Sequence, residues 1–407
     1  MAINPTKESE AYLEALVEEL EIPSSRYKAA EASYKSLGEW LHRPDSKVRD
    51  YDPDVYVQGS FKLGTAIKPQ SADEEYDVDC VCSLEKLTKS QLSQSDLKRL
   101  VGNEVKAYRD GKGIKEEVRE GRRCWTLNYS DSAQFHMDIV PAIPNESDQR
   151  TLLESKSLDA SYAKTAIAIT DNEVFPAYET ITWDWPRSNP RGYAEWFKER
   201  MGDEYIRRSE IILNEMRGGN PSLSIEDIPT YQVRTPLQSA IMILKRHRDN
   251  MFSNEGTIKN KPISIIISTL AARSYNNEGT IGQALISILM NMKSKIEYQG
   301  GRAVIKNPTD ELENFADKWE EFPERERAFY DWLEQAQIDF NSAAILTENE
   351  KISAVLKSRM GDNLTTKAGN RLGATLLAAS TAASTSSAPN VAFGDSPIKP
   401  KKPEGFA

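Results

Sequence analysis

The segment from Tyr76 to Cys82 limits the fold of this chain more than any other short stretch. It reads Tyr-Asp-Val-Asp-Cys-Val-Cys, and side chains alternate between the two faces of a strand. Asp77 and Asp79 therefore share one face. The other face carries only apolar side chains, those of Val78, Cys80 and Cys82. An exposed edge strand would explain the acids but not the apolar face, so the pattern predicts a sheet that packs on a core and presents two carboxylates on its other side.

A Gly-Ser pair precedes this strand. Residues 55–57 read as a short strand that runs into Gly59 and Ser60. Glycine allows a close approach between the backbone and a bulky ligand. A helix that starts after the pair would offer backbone N–H groups to an anion such as a phosphate. Gly-Ser pairs are common in ordinary turns, so this pair gains meaning only from the acidic strand that follows.

A third acid lies on a predicted hairpin. Residues 124–129 and 135–140 alternate like strands, with a turn at residues 130–133. Asp138 lies on the face opposite the apolar side chains of the second strand, and Pro141 and Pro144 are expected to end that strand. His136 shares the face of Asp138, either as a support for that carboxylate or as an ordinary structural histidine.

The three acids and the Gly-Ser pair together point to phosphoryl transfer. Two carboxylates that share a site resist joint ionisation unless a cation lies between them. Mg²⁺ is typically bound by one or two carboxylates together with substrate phosphates. The pattern therefore fits two-metal chemistry, in which one ion activates an attacking hydroxyl and the other holds a triphosphate.

The order of these motifs resembles the bacterial cGAS/DncV-like nucleotidyltransferases (CD-NTases), which make cyclic oligonucleotide signals in the anti-phage systems called CBASS. The resemblance covers most of the chain and includes residues 188–193, 235–238, 244–249, 261–266 and 313–319. It implies an α+β fold, with a mixed-sheet palm of the polymerase beta type and a helical second lobe.

The resemblance also implies roles for individual residues. Asp77 and Asp79 would bind two Mg²⁺ ions, with Mn²⁺ as an alternative, and Asp138 would complete the site and assist deprotonation of the acceptor ribose hydroxyl. Further residues match positions that hold the substrate nucleotide in the family: Gln58, Gly59 and Ser60 around the triphosphate, and Ser188, Lys245, Ser264 and Asn307 elsewhere. Some relatives carry an arginine in the hairpin that contacts the acceptor nucleotide, but this chain reads Thr126-Leu127-Asn128 there.

The net charge and its distribution bear on the kind of ligand that this chain binds. The net charge is −10, and the basic clusters are short, which argues against activation by long DNA. Lys245 and Arg248 lie three apart on a predicted helix and could point together at a triphosphate, or form a solvated face.

The three cysteines form neither a disulfide framework nor a complete zinc ligand set, which suits a reducing cytoplasm. No apolar run approaches the ~20 residues that a membrane span needs.

The chain divides into four predicted parts: N-terminal helices (1–45), a nucleotidyltransferase palm (46–150), a helical lobe with nucleotide contacts (151–373) and a disordered tail (374–407). Ser24 and Ser25 are expected to cap the second helix after Pro23. Residues 152–169 are expected to be largely helical. Residues 263–272 read as a buried helix with Ser264 in its first turn, where the hydroxyl either caps the helix or contacts ligand.

The tail is rich in Ala, Ser, Thr and Pro and cannot bury enough apolar surface to fold alone. It resembles the C-termini of family members whose last carboxylate is activated and conjugated by a ubiquitin-transfer-like enzyme, which would make Ala407 the conjugated residue. A tail without a role is the alternative.

The sequence thus predicts a cytoplasmic, Mg²⁺-dependent nucleotidyltransferase that makes a cyclic di- or trinucleotide from NTPs, ATP among them, for a downstream effector. A linear-oligonucleotide or tRNA-end nucleotidyltransferase is the second enzymatic hypothesis, and a degenerate nucleotide-binding regulator is the non-enzymatic one. Base identity, linkage, ring size, activator and oligomeric state stay open.

Overall fold

A computed structural model describes residues 3–70, 75–129, 135–217, 224 and 228–373. The predicted turn at residues 130–133 and the predicted tail at 374–407 lie outside these residues. Within them the chain forms a mixed β-sheet flanked by helices and a helix-rich second part. No helix in the described ranges is long and apolar enough to cross a membrane.

Seven strands form the palm sheet, and their spatial order is β1-β2-β5-β4-β3, with β6 on β5 and β7 on β6. Strands β2 and β5 run parallel, and the other neighbours are antiparallel. The bounds are β1 (Pro53–Val57), β2 (Tyr76–Leu84), β3 (Arg119–Glu120), β4 (Trp125–Tyr129), β5 (Phe135–Pro144), β6 (Ile167–Ile169) and β7 (Arg187–Ser188).

One face of this sheet packs on a core, as the alternation in β2 predicts. Val78, Cys80 and Cys82 are fully buried. They belong to a cluster that includes Leu37 and Leu97, which lie on the two helices over that face. Both cysteines are thus core residues, and the acids of β2 are directed to the opposite side.

Strand β5 continues through Pro141, so the expectation that this proline ends the strand is wrong. On one side β5 pairs with β4 as far as Ile139, and with β6 from Ala142 onward. Pro141 lies between these two partners, where its missing N–H costs no hydrogen bond on that side. Pro144 is the last residue of the strand, as predicted.

The helices have the following bounds: α1 (Lys7–Leu20), α2 (Ser24–Leu41), α3 (Gly59–Leu63), α4 (Gln94–Lys112), α5 (Glu146–Ser155), α6 (Pro190–Arg217, kinked at Gly202), α7 (Thr230–Val233), α8 (Pro236–Met251), α9 (Glu255–Ile258), α10 (Ser264–Ser274), α11 (Ile281–Asn291), α12 (Lys318–Glu321), α13 (Pro323–Ala344) and α14 (Asn349–Met360). Short 3-10 helices span Arg49–Tyr51, Ala163–Thr165 and Met292–Lys295. Two small hairpins complete the described part: β8 (Glu297–Gln299) with β9 (Arg302–Val304), and β10 (Lys306–Asn307) with β11 (Asp310–Asn314).

Helix α8 runs through the core of the second part. Its residues Leu237, Ile241 and Leu244 are fully buried among apolar side chains of α1, α10, α11 and α13. A capping box formed by Thr235 and Gln238 starts this helix. Because α1 packs into this core while α2 packs on the palm sheet, the first two helices bridge the two parts.

Two local predictions are wrong. The serines do not cap α2, because Pro23 occupies the N-cap and no side chain bonds the first turn. Residues 152–169 are mostly not helical, since α5 ends at Ser155 and residues 167–169 form strand β6. Pairing with β5 and β7 overrides the helix propensity of residues 167–169.

Candidate active site

The parallel pairing of β2 and β5 brings the predicted acids together. Asp79 lies beside Asp138 in register, and Asp77 lies beside His136. Neighbouring residues in register project from the same face of a sheet. The three carboxylates therefore meet on the face that does not pack on the palm core.

The cluster has the donor set of a cation site. Ligand atoms of Asp77, His136 and Asp138 all lie within 4.8 Å of one another. The Asp138 carboxylate is held from the side by Thr126, whose hydroxyl donates to Oδ1 at 2.6 Å. His136 Nε2 lies 3.3 Å from Asp77 Oδ1, and this contact raises the pKa of the imidazole. The histidine is thus part of the acidic cluster rather than a remote structural residue.

Asp79 is the carboxylate most affected by this environment. Burial raises its pKa to about 7, and the negative charges of Asp77 and Asp138 add to the effect. A carboxylate that resists ionisation beside two others is stabilised as an anion when a cation binds among them. The electrostatics therefore fit a divalent metal ion at this position.

Gly59 brings the predicted phosphate turn against the same carboxylate. Its φ is +62°, a conformation that disfavours other residues. A Cβ built at this position would lie 2.4 Å from Asp79 Oδ2. The backbone N–H of Gln58 also donates to the Asp79 carbonyl at 2.8 Å. Only glycine lets the start of α3 approach the acidic strand this closely.

A cleft of about 750 Å³ opens beside the acids and extends to the helical part. The turn contributes Gly59 and Ser60 to its lining, and β2 contributes Asp77 and Asp79. From the other side come residues of α8, α10 and their connection, which include Lys245, Arg246, Arg248, Lys261, Ser264 and Ser268. A cleft with carboxylates on one wall and cations on the other suits a metal-bound polyphosphate.

Lys245 is one of the buried cations of this wall. Its Nζ donates to the Thr65 carbonyl at 2.9 Å, in the loop that follows α3. Burial lowers its pKa to about 8, and the nearby charge of Arg248 acts in the same direction. The ammonium group thus links the helical part to the phosphate turn. Because it is already shielded from water, an anionic ligand could bind it without first displacing a hydration shell.

The geometry agrees with the comparison to known proteins. Residues 53–141 match the family model for "Cyclic GMP-AMP synthase DncV-like, nucleotidyltransferase domain". These residues form a DncV-like nucleotidyltransferase domain. A c-di-GMP synthase from Roseivirga ehrenbergii is 25% identical over 364 residues, which cover 88% of this chain and 86% of that relative. The cyclic dinucleotide synthase CdnG from Bradyrhizobium diazoefficiens is 22% identical over 324 residues, covering 77% of this chain and 70% of CdnG.

Solved structures share the fold of this chain. CdnG from B. diazoefficiens in complex with GTP has a TM-score of 0.64 at 20% identity, over 90% of this chain and 99% of that structure. CdnC from E. coli MS115-1 in complex with HORMA-deltaN has a TM-score of 0.56 at 12% identity, over 86% of this chain and 96% of that structure. The predicted family and the predicted fold, a mixed-sheet palm with a helical lobe, are confirmed.

Ser264 is the first residue of α10 and lines the cleft of this nucleotidyltransferase. The N-cap position belongs to Ile263, so the capping alternative does not hold. The Ser264 hydroxyl accepts from Arg248 Nη1 at 2.9 Å, and the same nitrogen donates to the Pro262 carbonyl at 3.0 Å. Arg248 therefore supports the start of α10 as well as lining the cleft.

Ser188 and Asn307, which resemble nucleotide contacts in the family, do not line this cleft. Ser188 lies on the edge strand β7, in register with Ile167 of β6. Asn307 is buried, and its Oδ1 accepts from both the backbone N–H and the hydroxyl of Thr309 at 2.9 Å. Gln58 precedes the turn and contacts the site through its backbone. The nucleotide-contact roles of these three side chains stay predictions.

Several residues of the site have no clear sequence signal. Thr126 holds Asp138 from the neighbouring strand, and a threonine in a strand is unremarkable in a sequence. Lys68 and Lys261 line the cleft from loops. Only His136 carried a hint, because it shares the strand face of Asp138.

Proposed function

We propose that this chain synthesises a cyclic di- or trinucleotide from NTPs in a reaction that depends on Mg²⁺ and releases pyrophosphate. The observation that carries the proposal is the register of β2 and β5, which unites Asp77, Asp79 and Asp138 opposite the Gly59 turn. The names of the relatives, a c-di-GMP synthase and a cyclic dinucleotide synthase, support a ring of two nucleotides. They also favour GTP as a substrate over the ATP that the sequence predicted.

The proposed reaction joins two nucleotides twice. A ribose hydroxyl of one nucleotide attacks the α-phosphorus of the other, an O–P bond forms, and the bond from the α-phosphorus to the bridging oxygen breaks. Pyrophosphate leaves with the electron pair of that bond, and the hydroxyl proton passes to a base. The same step between the remaining ends closes the ring. Asp138, held by Thr126 on the site face, is the proposed proton acceptor.

Asp77 and Asp79 are the proposed ligands of two Mg²⁺ ions, with Asp138 completing the set. When bound, the ions would lower the pKa of the attacking hydroxyl and stabilise the charge on the leaving pyrophosphate. Mn²⁺ fits as well, because His136 offers an imidazole nitrogen within reach of the same ligand atoms.

The triphosphate of the donor nucleotide would lie in the cleft, between the Gly59 turn and α8. Gln58, Gly59 and Ser60 would approach it from the palm, and Lys245 and Ser264 from the helical part. A buried lysine and a glycine-based turn supply charge and backbone N–H groups at the two ends of one cleft. Ser188 and Asn307 would contact a nucleotide on the other side of Asp138.

A linear-oligonucleotide or tRNA-end nucleotidyltransferase would use the same carboxylates, so the site alone favours neither product. The relatives named as cyclic dinucleotide synthases favour the cyclic one. A degenerate regulator would be expected to have lost at least one of the three acids, and all three converge.

A role in anti-phage defence, through a downstream effector of the cyclic nucleotide in the cytoplasm, completes the proposal. Conjugation of the C-terminal carboxylate of Ala407 by a ubiquitin-transfer-like enzyme belongs to it as well, and that residue lies outside the described part of the chain. The short basic clusters argue against long DNA as the activator.

The test is pyrophosphate release from NTP mixtures with Mg²⁺, Mn²⁺ or EDTA, for the wild type and for Asp77→Asn, Asp79→Asn and Asp138→Asn. Loss of several kcal/mol of transition-state stabilisation predicts a fall of about a thousandfold or more in each variant. Asp148→Asn is the matched control, since Asp148 pairs with Lys89 and does not line the cleft. Full activity in EDTA, or in any of the three site variants, would overturn the assignment.

A further inference from the structure

The side chains on the acid face divide into two overlapping sets. Asp77 and Asp79 line the triphosphate cleft, and Asp79 Oδ2 faces the Gly59 turn. Asp77 also belongs to a second set with His136 and Asp138, in which one ligand atom of each residue lies within 4.8 Å of the other two. Asp79 is not a member of this second set. A site for two ions would therefore share Asp77 and would include a histidine on one side only.

The spacing in the second set is that of ligands around one ion. His136 Nε2 lies 3.3 Å from Asp77 Oδ1. Ligand atoms on neighbouring corners of an octahedron with bonds of about 2.1 Å lie about 3 Å apart. The strand register fixes this neighbourhood, because Asp77 pairs with His136 across β2 and β5, and Asp138 follows two residues later on the same face of β5. The imidazole nitrogen thus already lies at a ligand-to-ligand distance from a carboxylate of the site.

The other ring nitrogen of His136 faces a carboxylate outside the set. Nδ1 lies 3.6 Å from Glu75 Oε2, and both side chains are partly buried. This separation is longer than a hydrogen bond, but the negative charge still favours a proton on Nδ1. Histidines that bind a metal usually present their second N–H to a carboxylate or a carbonyl, which fixes the tautomer and the ring orientation. A proton on Nδ1 leaves the Nε2 lone pair free on the side of Asp77.

Divalent ions differ in what they gain from such a nitrogen. Mg²⁺ is a hard cation that takes oxygen ligands. For sites with nitrogen and oxygen ligands, the affinity for first-row transition metals rises from Mn²⁺ towards Cu²⁺, and an imidazole suits these metals better than it suits Mg²⁺. A set of two carboxylates and one imidazole therefore discriminates between Mn²⁺ and Mg²⁺ more strongly than carboxylates alone.

We propose that His136 Nε2 is a metal ligand together with Asp77 and Asp138, and that this position selects a transition metal ion such as Mn²⁺ over Mg²⁺. The inference rests on the proposed function and refines it, because it gives the two ions different ligand sets. The ion at the triphosphate cleft has Asp77 and Asp79, and the ion beside Asp138 has the histidine.

The test uses the full chain, freed of metal and without nucleotide, with Mn²⁺ alone as the probe. Pulsed electron paramagnetic resonance detects a nitrogen nucleus that is bound directly to Mn²⁺, and the signal of free Mn²⁺ measures affinity with and without competing Mg²⁺. The wild type should show the nitrogen coupling and bind Mn²⁺ about tenfold or more tightly than Mg²⁺. His136→Asn should lose the coupling and most of this preference, and Asp77→Asn should lose the coupling as well.

His42→Asn is the matched control. His42 also lies near one carboxylate, with Nε2 3.9 Å from Asp52 Oδ1, but it belongs to no group of three ligand side chains in the part of the chain that the structure describes. This variant should keep both the coupling and the Mn²⁺-to-Mg²⁺ ratio. Thermal unfolding checks that all variants fold, and the wild-type coupling with its loss in Asp77→Asn still decides the question if His136→Asn does not.

Three results would overturn the assignment: no binding of Mn²⁺ by the wild type, bound Mn²⁺ without nitrogen coupling, or an unchanged Mn²⁺-to-Mg²⁺ ratio in His136→Asn. Each would leave His136 as a group that only neutralises Asp77 in the metal-free protein. Absence of product from NTPs is a separate result, which would count against the proposed function and not against the metal ligand.

Discussion

At the scale of single residues, Gly59 lies directly against the Asp79 carboxylate. It needs a positive φ, and its Cα faces the Asp79 carboxylate with no room for a methyl group. Gly113 provides a comparison, because its φ is +66° but no atom lies within 4 Å of a Cβ built there. Both glycines need a positive φ, but only Gly59 lies against a neighbouring side chain.

We expect Gly59→Ala to abolish nucleotide turnover and Gly113→Ala to preserve it. Both variants should lose about 1 kcal/mol of unfolding free energy from the left-handed backbone. Gly59→Ala should lose more, because either the turn or Asp79 must move. Urea denaturation and pyrophosphate release measure the two effects. Equal activity of the two variants would show that the close approach to Asp79 is not required.

In the absence of metal, Asp79 also makes the stability of the protein depend on pH. Its pKa is raised from 3.8 to about 7, so the folded state binds more protons than the unfolded state between these values. The free energy of unfolding therefore falls as the pH rises from about 4 to about 7. The loss is complete above pH 7, where the folded site must hold the additional negative charge.

Asp79→Asn removes the free-energy cost of ionising this carboxylate in the folded state. In EDTA at pH 8 we expect the variant to be more stable than the wild type by about 1 kcal/mol or more, and at pH 4 the difference should vanish. Mg²⁺ should stabilise the wild type at pH 8 and have a much smaller effect on the variant. A variant that is less stable than the wild type at pH 8 would contradict the cost of ionisation that burial and the neighbouring charges impose on Asp79.

At the scale of elements, α8 connects the helical part to the phosphate turn. Three of its side chains donate to backbone carbonyls at the end of α3 and in the loop after it: Gln238 to Leu63 at 2.9 Å, Lys245 to Thr65 at 2.9 Å, and Arg246 to Lys68. The helix thus positions one wall of the cleft and supplies its cations. Its capping box and apolar stripe follow directly from the sequence, whereas these contacts across the cleft do not.

Lys245→Met tests the role of the buried cation. We expect the affinity for NTP to fall about tenfold or more, since a charge-assisted contact to the triphosphate is lost. In the wild type, affinity should decline as the pH rises through about 8, because Lys245 then loses its proton. Lys259→Met, at an exposed position on a neighbouring segment, is the control. Unchanged NTP affinity in Lys245→Met would remove this residue from the site.

The elements show what a sequence pattern can and cannot specify. Alternation in residues 76–82 and 135–140 correctly predicted which face carries the acids, because it depends on strand geometry alone. The parallel pairing of β2 with β5 was not predicted, since periodicity does not name a neighbour. The family resemblance grouped Asp138 with the other two acids. Strand β6 was missed because three residues give too short a pattern, and its pairing with β5 decides its conformation. The continuation of β5 past Pro141 was missed for the same reason, because its pairing with β6 decides it.

At the scale of the whole molecule, the two parts contact each other at more than one place. Lys245 of α8 donates to the loop after α3, beside the acids, and Arg187 at the edge of the palm sheet pairs with Asp310 of the β10–β11 hairpin. The sequence predicted two lobes, but nothing in it showed that the hairpin docks on the palm edge.

The central claim is that the united carboxylates produce a cyclic nucleotide. The most direct test is to incubate the purified chain with all four NTPs and Mg²⁺, treat the mixture with phosphatase, and analyse the remainder by mass spectrometry. The account predicts a phosphatase-resistant cyclic dinucleotide that contains guanine and is absent with Asp77→Asn. Products that phosphatase degrades completely, or no nucleotide product with either Mg²⁺ or Mn²⁺, would contradict it.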